Sequence, residues 1–364
     1  SMYKIKHYIY RIIIILISSF FSVVLFELSL RFFISKDSLS NTEVANILRD
    51  FNYEYKLNNL YESEREEVYY QRDKYGLRSN CKNTKDIKIL TVGGSTTDQR
   101  YVNLESTFQS ILESKINKYI NKNICIANAG VDGHTTFGHI YSFENWFPLI
   151  PDLRPNYIIL YIGINDADFI RKGANKGYDI NDTSTIVGFL KNFYVFQKIL
   201  PLVRYINYNF QKDNLKYASH SKNNFESKDY TITEINPNTK ELSEVNAKSF
   251  KKRLTIILNQ IEQLGSQHIC ISQPHKFVNN ISDIKKGIPA TFGKDYSGLD
   301  FDYSLSALNK IMKNLCGKYF IDIKNEEFKE IHFYDGVHTT KKGSEFLGNL
   351  IYEKMKMKGF LEKL

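Results

Sequence analysis

Short runs of β-branched and aliphatic residues alternate with longer segments of helical periodicity along most of this chain. Five such runs predict strands, and they cover residues 87–92, 124–127, 157–162, 268–272 and 319–323. Apolar residues at helical spacing follow the first run, precede the fourth and close the chain after residue 342. Strands separated by helices need crossover connections. The pattern therefore predicts a parallel sheet covered by helices on both faces.

The composition fits a folded α/β protein and argues against a nucleic-acid partner. Hydrophobic residues make up 42% of the 364 residues, which is enough for a core. The net charge is +9, from 49 Lys and Arg against 40 Asp and Glu. These basic residues are scattered, with no Arg-rich run and no basic-aromatic stripe, so we expect no nucleic acid to bind.

Four cysteines, at positions 81, 125, 270 and 316, show no C-x-x-C spacing. Cys125 and Cys270 fall inside predicted strands, where the sequence favours small buried hydrophobes over metal ligands. The even count leaves a disulfide open, but spacing alone selects no pair.

The first 35 residues predict a membrane anchor. Residues 12–26 are uncharged and apolar, and further apolar residues extend the run to Ile34. Lys4, Lys6 and Arg11 precede the run, so the positive-inside bias predicts a single-pass protein of the bacterial cytoplasmic membrane, with its amino terminus inside and its main domain outside. A cleaved signal peptide is the main alternative, and a buried core helix the other.

The rest of the chain divides into a polar segment and one large domain. Residues 36–74 are polar and charged and predict a stalk or entry segment, and residues 75–364 predict the domain itself. Apolar spacing at 186–208 suits one or two helices, whereas residues 209–245 are rich in Asn, Lys and Ser and predict an insertion or flexible loop. This loop and a second one at 276–300 leave strand ends, where open α/β sheets bind ligands.

Four short motifs stand at or near predicted strand ends. They are V-G-G-S-T-T at 92–97, N-A-G-V-D-G at 128–133, G-I-N-D at 163–166 and D-G-V-H at 335–338. Ser95 follows two glycines and opens a helix, so its hydroxyl can project over the sheet edge. The alternatives for Ser95 are a helix N-cap and a phosphate loop, although the lysine of the phosphate-loop pattern is absent.

The D-G-V-H motif suits a carboxylate and an imidazole that work as a pair. Asp335 and His338 are three residues apart, so the carboxylate can hold one ring nitrogen while the other accepts a proton from Ser95. The remaining histidines match no zinc signature: His134 and His139 could line a pocket, and His275 could contact a substrate. Asp166 and Asp168 suggest the paired carboxylates of glycoside cleavage, but the sequence identifies no second carboxylate at a compatible site.

Taken together, the four motifs resemble those of the SGNH/GDSL hydrolase superfamily, over roughly residues 75–360. The family's usual G-D-S is G-G-S here. The resemblance implies a three-layer α/β/α fold with a five-stranded parallel sheet in flavodoxin-like order. It also implies Ser95 as nucleophile, Asp335 and His338 as its catalytic partners, and an oxyanion hole formed by Ser95, Gly133 and Asn165.

The activity implied is acyl transfer through a serine ester, with no cofactor and no metal. We expect an esterase that removes O-acyl groups, acetyl above all, from a cell-envelope carbohydrate or a related ester. An O-acetyltransferase that modifies an exported polysaccharide is the alternative, and a partner membrane protein would then supply the acyl donor. A glycan-binding or assembly protein that keeps the fold without catalysis is the second alternative.

Overall fold

The computed structural model describes residues 2–33, 39–62, 67–168 and 216–364, the last with gaps at 221, 224, 282 and 290–294. Between 169 and 215 it describes only a few separate residues, so the helices predicted at 186–208 lie outside the described residues. The chain divides into two compact units, Ser1–Val44 with Ile180–Lys212 and Ala45–Asp179 with Asp213–Leu364.

A five-stranded parallel sheet forms the centre of the larger unit. The strands of this unit, in chain order, are β1 (Phe51–Lys56), β2 (Glu67–Arg72), β3 (Ile87–Gly93), β4 (Cys125–Asn128), β5 (Tyr157–Tyr161), β6 (Lys216–Tyr217), β7 (Gln267–Ile271), β8 (Val278–Ile281), β9 (Ile284–Gly287) and β10 (Phe320–Ile321). The central sheet has the order β10-β7-β5-β3-β4, with every neighbouring pair parallel. All five predicted strands and the flavodoxin-like order are confirmed.

Helices cover both faces of this sheet, which confirms the predicted three-layer α/β/α fold. The described α-helices are α1 (Met2–Phe33), α2 (Ser95–Asp98), α3 (Phe108–Ile120), α4 (Thr136–Asn145), α5 (Ile164–Ala167), α6 (Pro237–Gln263), α7 (Gly298–Cys316) and α8 (Lys341–Met357). Helices α3 and α8 pack together, and α6 packs against both α4 and α7. Alternate strand residues such as Ile89 and Ile159 are fully buried with Phe108 of α3 and Leu347 of α8. Burial on both faces explains why the strands are continuous apolar runs.

The segment predicted as a stalk is folded from Ala45 onward, so the boundary predicted at residue 75 differs from that of the compact unit. Strands β1 and β2 form an antiparallel hairpin, and β6 joins the free edge of β1 in parallel. Tyrosines of the hairpin, including Tyr55 and Tyr70, are buried in a small core with Tyr101 and Tyr334. Their aromatic surface stabilises the hairpin on the domain.

Helix α6 begins at Pro237, inside the segment 209–245 that is predicted as an insertion or flexible loop, so the end of that segment is helical. Asn236 caps the helix by accepting a hydrogen bond from the backbone N–H of Asn238, and proline occupies the first helical position. The second predicted loop, at 276–300, contains the β8–β9 hairpin and the start of α7.

The four cysteines are paired, which corrects the expectation that they are simple buried hydrophobes. Cys81 is bonded to Cys125 on the edge strand β4, and Cys270 on β7 is bonded to Cys316 at the end of α7. Each bond closes a loop of more than forty residues. Such a loop limits the conformations open to the unfolded chain and so stabilises the fold.

In the smaller unit, α1 is a helix whose apolar side chains are almost all exposed. Residues 6–32 are long and apolar enough to cross a membrane. Its acidic residue, Glu27, is paired with Arg31 one turn later, with 2.9 Å between carboxylate oxygen and Nε. A helix of this length and composition is typical of both a membrane anchor and a signal sequence.

Candidate active site

Ser95 lies at the carboxyl end of β3, as the first residue of the short helix α2. Its hydroxyl oxygen is 2.8 Å from Nε2 of His338. The two glycines before it are required by close packing: a Cβ at Gly93 would overlap Thr97 and the carbonyl oxygen of Tyr161, and one at Gly94 would lie 2.5 Å from the amide nitrogen of Asn165. The turn therefore brings Ser95 close to Asn165, at the carboxyl edge of the sheet.

Asp335 orients the imidazole of His338 from the opposite side. Its Oδ2 is 2.7 Å from Nδ1 of His338, and its Oδ1 accepts hydrogen bonds from the backbone N–H groups of Val337 and His338. Burial alone would raise the pKa of Asp335, but the His338 ring and these hydrogen bonds outweigh burial and lower it. Asp335, His338 and Ser95 thus form one hydrogen-bonded chain, although Ser95 and His338 are 243 positions apart.

The other two predicted site residues follow β4 and β5 at the same edge. Gly133 has a φ of 77°, a backbone conformation that favours glycine. The side-chain amide of Asn165 donates to the carbonyl oxygen of His134 at 2.8 Å, which fixes Asn165 against the His134–Thr135 peptide, one residue after Gly133. Asn165 also faces Gly94, so the three predicted oxyanion donors belong to contacting segments.

Two of the other candidate side chains have structural roles. Asp166 is 3% exposed and accepts hydrogen bonds from the backbone N–H and hydroxyl of Thr136, which fixes the start of α4. Arg253 of α6 completes this contact, so Asp166 is not half of a carboxylate pair in the cleft. The side chain of His275 is buried, with Nε2 3.0 Å from a carboxylate oxygen of Asp302.

His220 is a residue of this site that the sequence did not reveal. Its ring lies 4.5 Å from that of His338, centroid to centroid, and its Nδ1 is 2.9 Å from the hydroxyl of Tyr334. The Tyr334 ring is parallel to that of His338 at 5.6 Å. His220 follows β6, and the pairing of β6 with β1, together with the hydrogen bonds between Ser219 and the Tyr101 hydroxyl, brings it here. A lone histidine in a polar segment gives no such signal.

His220, Asp335 and His338 are also the one group among the described residues whose nitrogen and oxygen atoms, within 4.8 Å of one another, could hold a metal ion. The hydrogen bonds from Asp335 through His338 to Ser95 already use two of these three side chains. The arrangement suits proton transfer from a hydroxyl, as in hydrolysis by a serine nucleophile.

We expect acid to destabilise the protein partly through His220. Burial, together with the nearby His338 ring, lowers the pKa of His220 to about 4. In the unfolded chain the same histidine binds a proton near pH 6.5. The contribution of neutral His220 to the free energy of unfolding is therefore present above pH 6.5 and is lost as the pH falls toward 4. Replacing His220 with phenylalanine keeps a ring but removes the titration. The decrease in the free energy of unfolding between pH 7 and pH 4 should be smaller by about 1–3 kcal/mol in H220F, measured by urea titration.

An equal acid-induced decrease in the wild type and H220F would contradict this account. His268→Phe provides a matched control, since His268 is a half-buried histidine on β7, away from the carboxyl end of its strand. Burial lowers the pKa of His268 too, so H268F should also reduce the acid-induced decrease in stability, but without any change near Ser95.

Comparison with known proteins finds similarity at the level of solved structures. No protein-family model and no curated protein matches the chain. An acetylxylan esterase from Geobacillus stearothermophilus aligns over 74% of this chain and 94% of its own, with 12% identity and a TM-score of 0.41. A G-D-S-L family lipolytic protein from Desulfitobacterium hafniense aligns over 73% and 98%, with 10% identity and a TM-score of 0.38.

An esterase from Pseudoalteromonas, inhibited by monoethylphosphonate in its structure, aligns over 74% of this chain and 96% of its own, with 12% identity and a TM-score of 0.37. Two of these proteins are esterases and the third is a lipolytic protein of the G-D-S-L family. Identities and TM-scores this low assign no activity, so the assignment depends on the chemistry of the site. Fold and site together define an α/β protein with a Ser–His–Asp chain at the carboxyl edge of its sheet.

Proposed function

We propose that this protein is an SGNH/GDSL-type serine esterase that acts through an acyl-serine intermediate. The observation that carries the proposal is the chain of hydrogen bonds from Asp335 through His338 to Ser95. Serine is a weak nucleophile unless an adjacent base accepts its proton, and an imidazole 2.8 Å from the hydroxyl meets that need.

In the proposed reaction, the Ser95 oxygen attacks the carbonyl carbon of the ester while His338 accepts the Ser95 proton. Asp335 holds the ring and stabilises the imidazolium that forms. The negative charge on the carbonyl oxygen is stabilised by the backbone N–H groups of Ser95 and Gly133 and by the Asn165 amide. His338 then gives its proton to the leaving alcohol, and water releases the acid by the same steps.

We further propose that the substrate is an O-acylated carbohydrate, or a related ester, of the cell envelope. The apolar helix α1 supports a membrane anchor, and Lys4, Lys6 and Arg11 before its apolar run favour an amino terminus on the inside of the cytoplasmic membrane. Two disulfides favour an oxidising compartment for the larger unit, outside the cytoplasm. Both features agree with a surface or periplasmic substrate and with contact to the membrane.

A fluorophosphonate probe tests the nucleophile directly. We expect it to label the folded protein at Ser95, located by mass spectrometry of the peptide, and a short-chain aryl ester to be hydrolysed by the same protein. Absence of label on Ser95 in folded protein would favour a binding protein without catalysis. Faster transfer of acetyl to added oligosaccharide than release of acetate would identify an O-acetyltransferase.

Replacing Asn165 with alanine tests the oxyanion hole. The loss of one donor is expected to lower kcat by about 100- to 1,000-fold with a small change in KM, because the donor acts on charge that develops only in the transition state. Asn156→Ala is a suitable control, since Asn156 is exposed before β5, at the other end of the sheet. Unchanged kcat in N165A would remove Asn165 from the proposed site.

A further inference from the structure

Arg100 follows the proposed nucleophile by five residues and contributes to none of the steps described above. It follows α2, the helix that begins with Ser95, and its Nη1 is 3.4 Å from a carboxylate oxygen of Asp132, the residue before Gly133. The next residue, Tyr101, packs its ring 4.9 Å from that of His220, which in turn contacts His338. Arg100 is thus held next to three parts of the proposed site: the helix that begins with Ser95, the segment that contains Asp132 and Gly133, and the Tyr101–His220 ring pair.

The guanidinium of Arg100 is poorly satisfied by the protein. Within the described part of the chain it makes two loose ion pairs, to Asp132 at 3.4 Å and Asp98 at 3.6 Å, and lies over the Tyr70 ring at 5.5 Å. It makes no hydrogen bond there, and its Nε is buried without a hydrogen-bond partner. Arg72 shows the contrast: it donates to Tyr70 and Gly76 at 2.6 Å and to Asp98 at 2.7 Å. A guanidinium with few hydrogen bonds gains from any further acceptor, so an acceptor that a ligand supplies to the exposed part of Arg100 would be stabilised.

The local charge also favours an anion. Three guanidinium groups, of Arg72, Arg78 and Arg100, surround two carboxylates, of Asp98 and Asp132. Asp98 is the larger counter-charge of Arg100, but the shorter ion pair of Asp98 is with Arg72, at 2.7 Å against 3.6 Å, and the other partner of Arg100, Asp132, is partly exposed. His220 adds no positive charge at neutral pH. The side chain of Arg100 is 23% exposed, so a ligand in the cleft can reach it.

We propose that Arg100 binds an anionic group on the alcohol part of the substrate, so that the preferred ester is an acylated acidic sugar. This inference rests on the proposed esterase function and specifies its substrate class. The planar fork of an arginine matches a carboxylate or a phosphate with two parallel hydrogen bonds. A sugar acid would supply the carboxylate, and a phosphorylated sugar would supply the phosphate.

Three matched substrates test the proposal: mono-O-acetyl methyl glucoside, the corresponding methyl glucuronoside, and the glucoside 6-phosphate. We expect the wild type to hydrolyse at least one anionic ester with a kcat/KM about 10- to 100-fold above that of the neutral ester, since a site built to bind a polar group discriminates against an analogue without it. The larger of the two preferences identifies the carboxylate or the phosphate as the ligand.

Arg100→Gln should reduce this preference to within about threefold, mainly through a higher KM for the anionic ester, and Arg100→Lys should restore part of it. Arg154→Gln is the matched control, because Arg154 is exposed before β5 at the opposite end of the sheet and should leave the preference unchanged. A purely structural role of Arg100 would slow all three esters equally, and that result would overturn the proposal.

Absence of any preference in the wild type would overturn it as well. The two levels of inference fail differently in this experiment. Equal hydrolysis of all three esters removes the role of Arg100 but leaves the esterase intact. No release of acetate from any ester, together with no phosphonate label on Ser95, removes the proposed function itself.

Discussion

Ser95→Ala is expected to lower kcat for a short-chain aryl ester by at least about 1,000-fold, because no other group can form the acyl intermediate once the hydroxyl is lost. The Ser95 hydroxyl is the only group that connects His338 to an incoming carbonyl in the proposed mechanism. Substrate binding should change little, so the effect belongs to kcat and not to KM. Steady-state kinetics on purified protein measure both.

Two controls separate this result from misfolding and contamination. Ser114→Ala removes an exposed hydroxyl from α3 and should retain full activity. The urea midpoint of S95A should stay close to that of the wild type, since the Ser95 side chain makes its hydrogen bond to His338 at a partly exposed position. Equal rates in S95A and the wild type would disprove the nucleophile assignment.

Asp98→Asn is expected to decrease the free energy of unfolding by about 3–5 kcal/mol, the range for breaking a buried ion pair. The Asp98 side chain is 1% exposed, 2.7 Å from Nη2 of Arg72, and accepts a hydrogen bond from the Tyr70 hydroxyl at 2.8 Å. Loss of its charge leaves buried guanidinium groups without a counter-ion. Because Asp98 ends the helix that begins with Ser95, activity should also decrease.

Urea titration at pH 7 measures the effect, with Asp152→Asn as the control. Asp152 is exposed and has a φ of 56°, a conformation that asparagine also adopts, so its replacement should change stability by less than about 0.5 kcal/mol. Burial alone would raise the pKa of Asp98, but the three arginines outweigh it and lower the pKa. The contribution of the Asp98 charge to the free energy of unfolding should therefore be present in full at pH values above the usual aspartate pKa and be lost as the pH falls below it. A decrease below about 1 kcal/mol in D98N would show that the arginines are compensated in another way.

The parts of the fold that could be predicted from sequence are those with a local cause. The strand β3 is buried on both faces and therefore reads as a continuous apolar run, and Gly93 and Gly94 mark its end. Parallel strands have their carboxyl ends at the same edge of the sheet, so the motifs that follow β3, β4 and β5 lie close together. The proximity of Ser95 to Asn165 follows from these local signals.

The features that sequence analysis missed depend on distant contacts. Polar residues alternate with tyrosines in β1, and only packing against Tyr101 and Tyr334 makes this hairpin part of the domain. Cysteine spacing is compatible with several pairings, and the sheet order decides that Cys81 meets Cys125. The early start of α6 is an exception, because its signal is local: Asn236 is an N-cap residue and Pro237 occupies the first helical position.

The strand β6 matters for any attempt to shorten this protein. A truncated form designed to remove the polar connection around residues 209–236 would also remove the third strand of the small sheet and the ring that lies on the His338 imidazole. Tyr101 would lose the partner of its hydroxyl, Ser219, at 2.8 Å. Crystallisation trials and homologue chimeras should therefore keep residues 216–220 and place deletions before them.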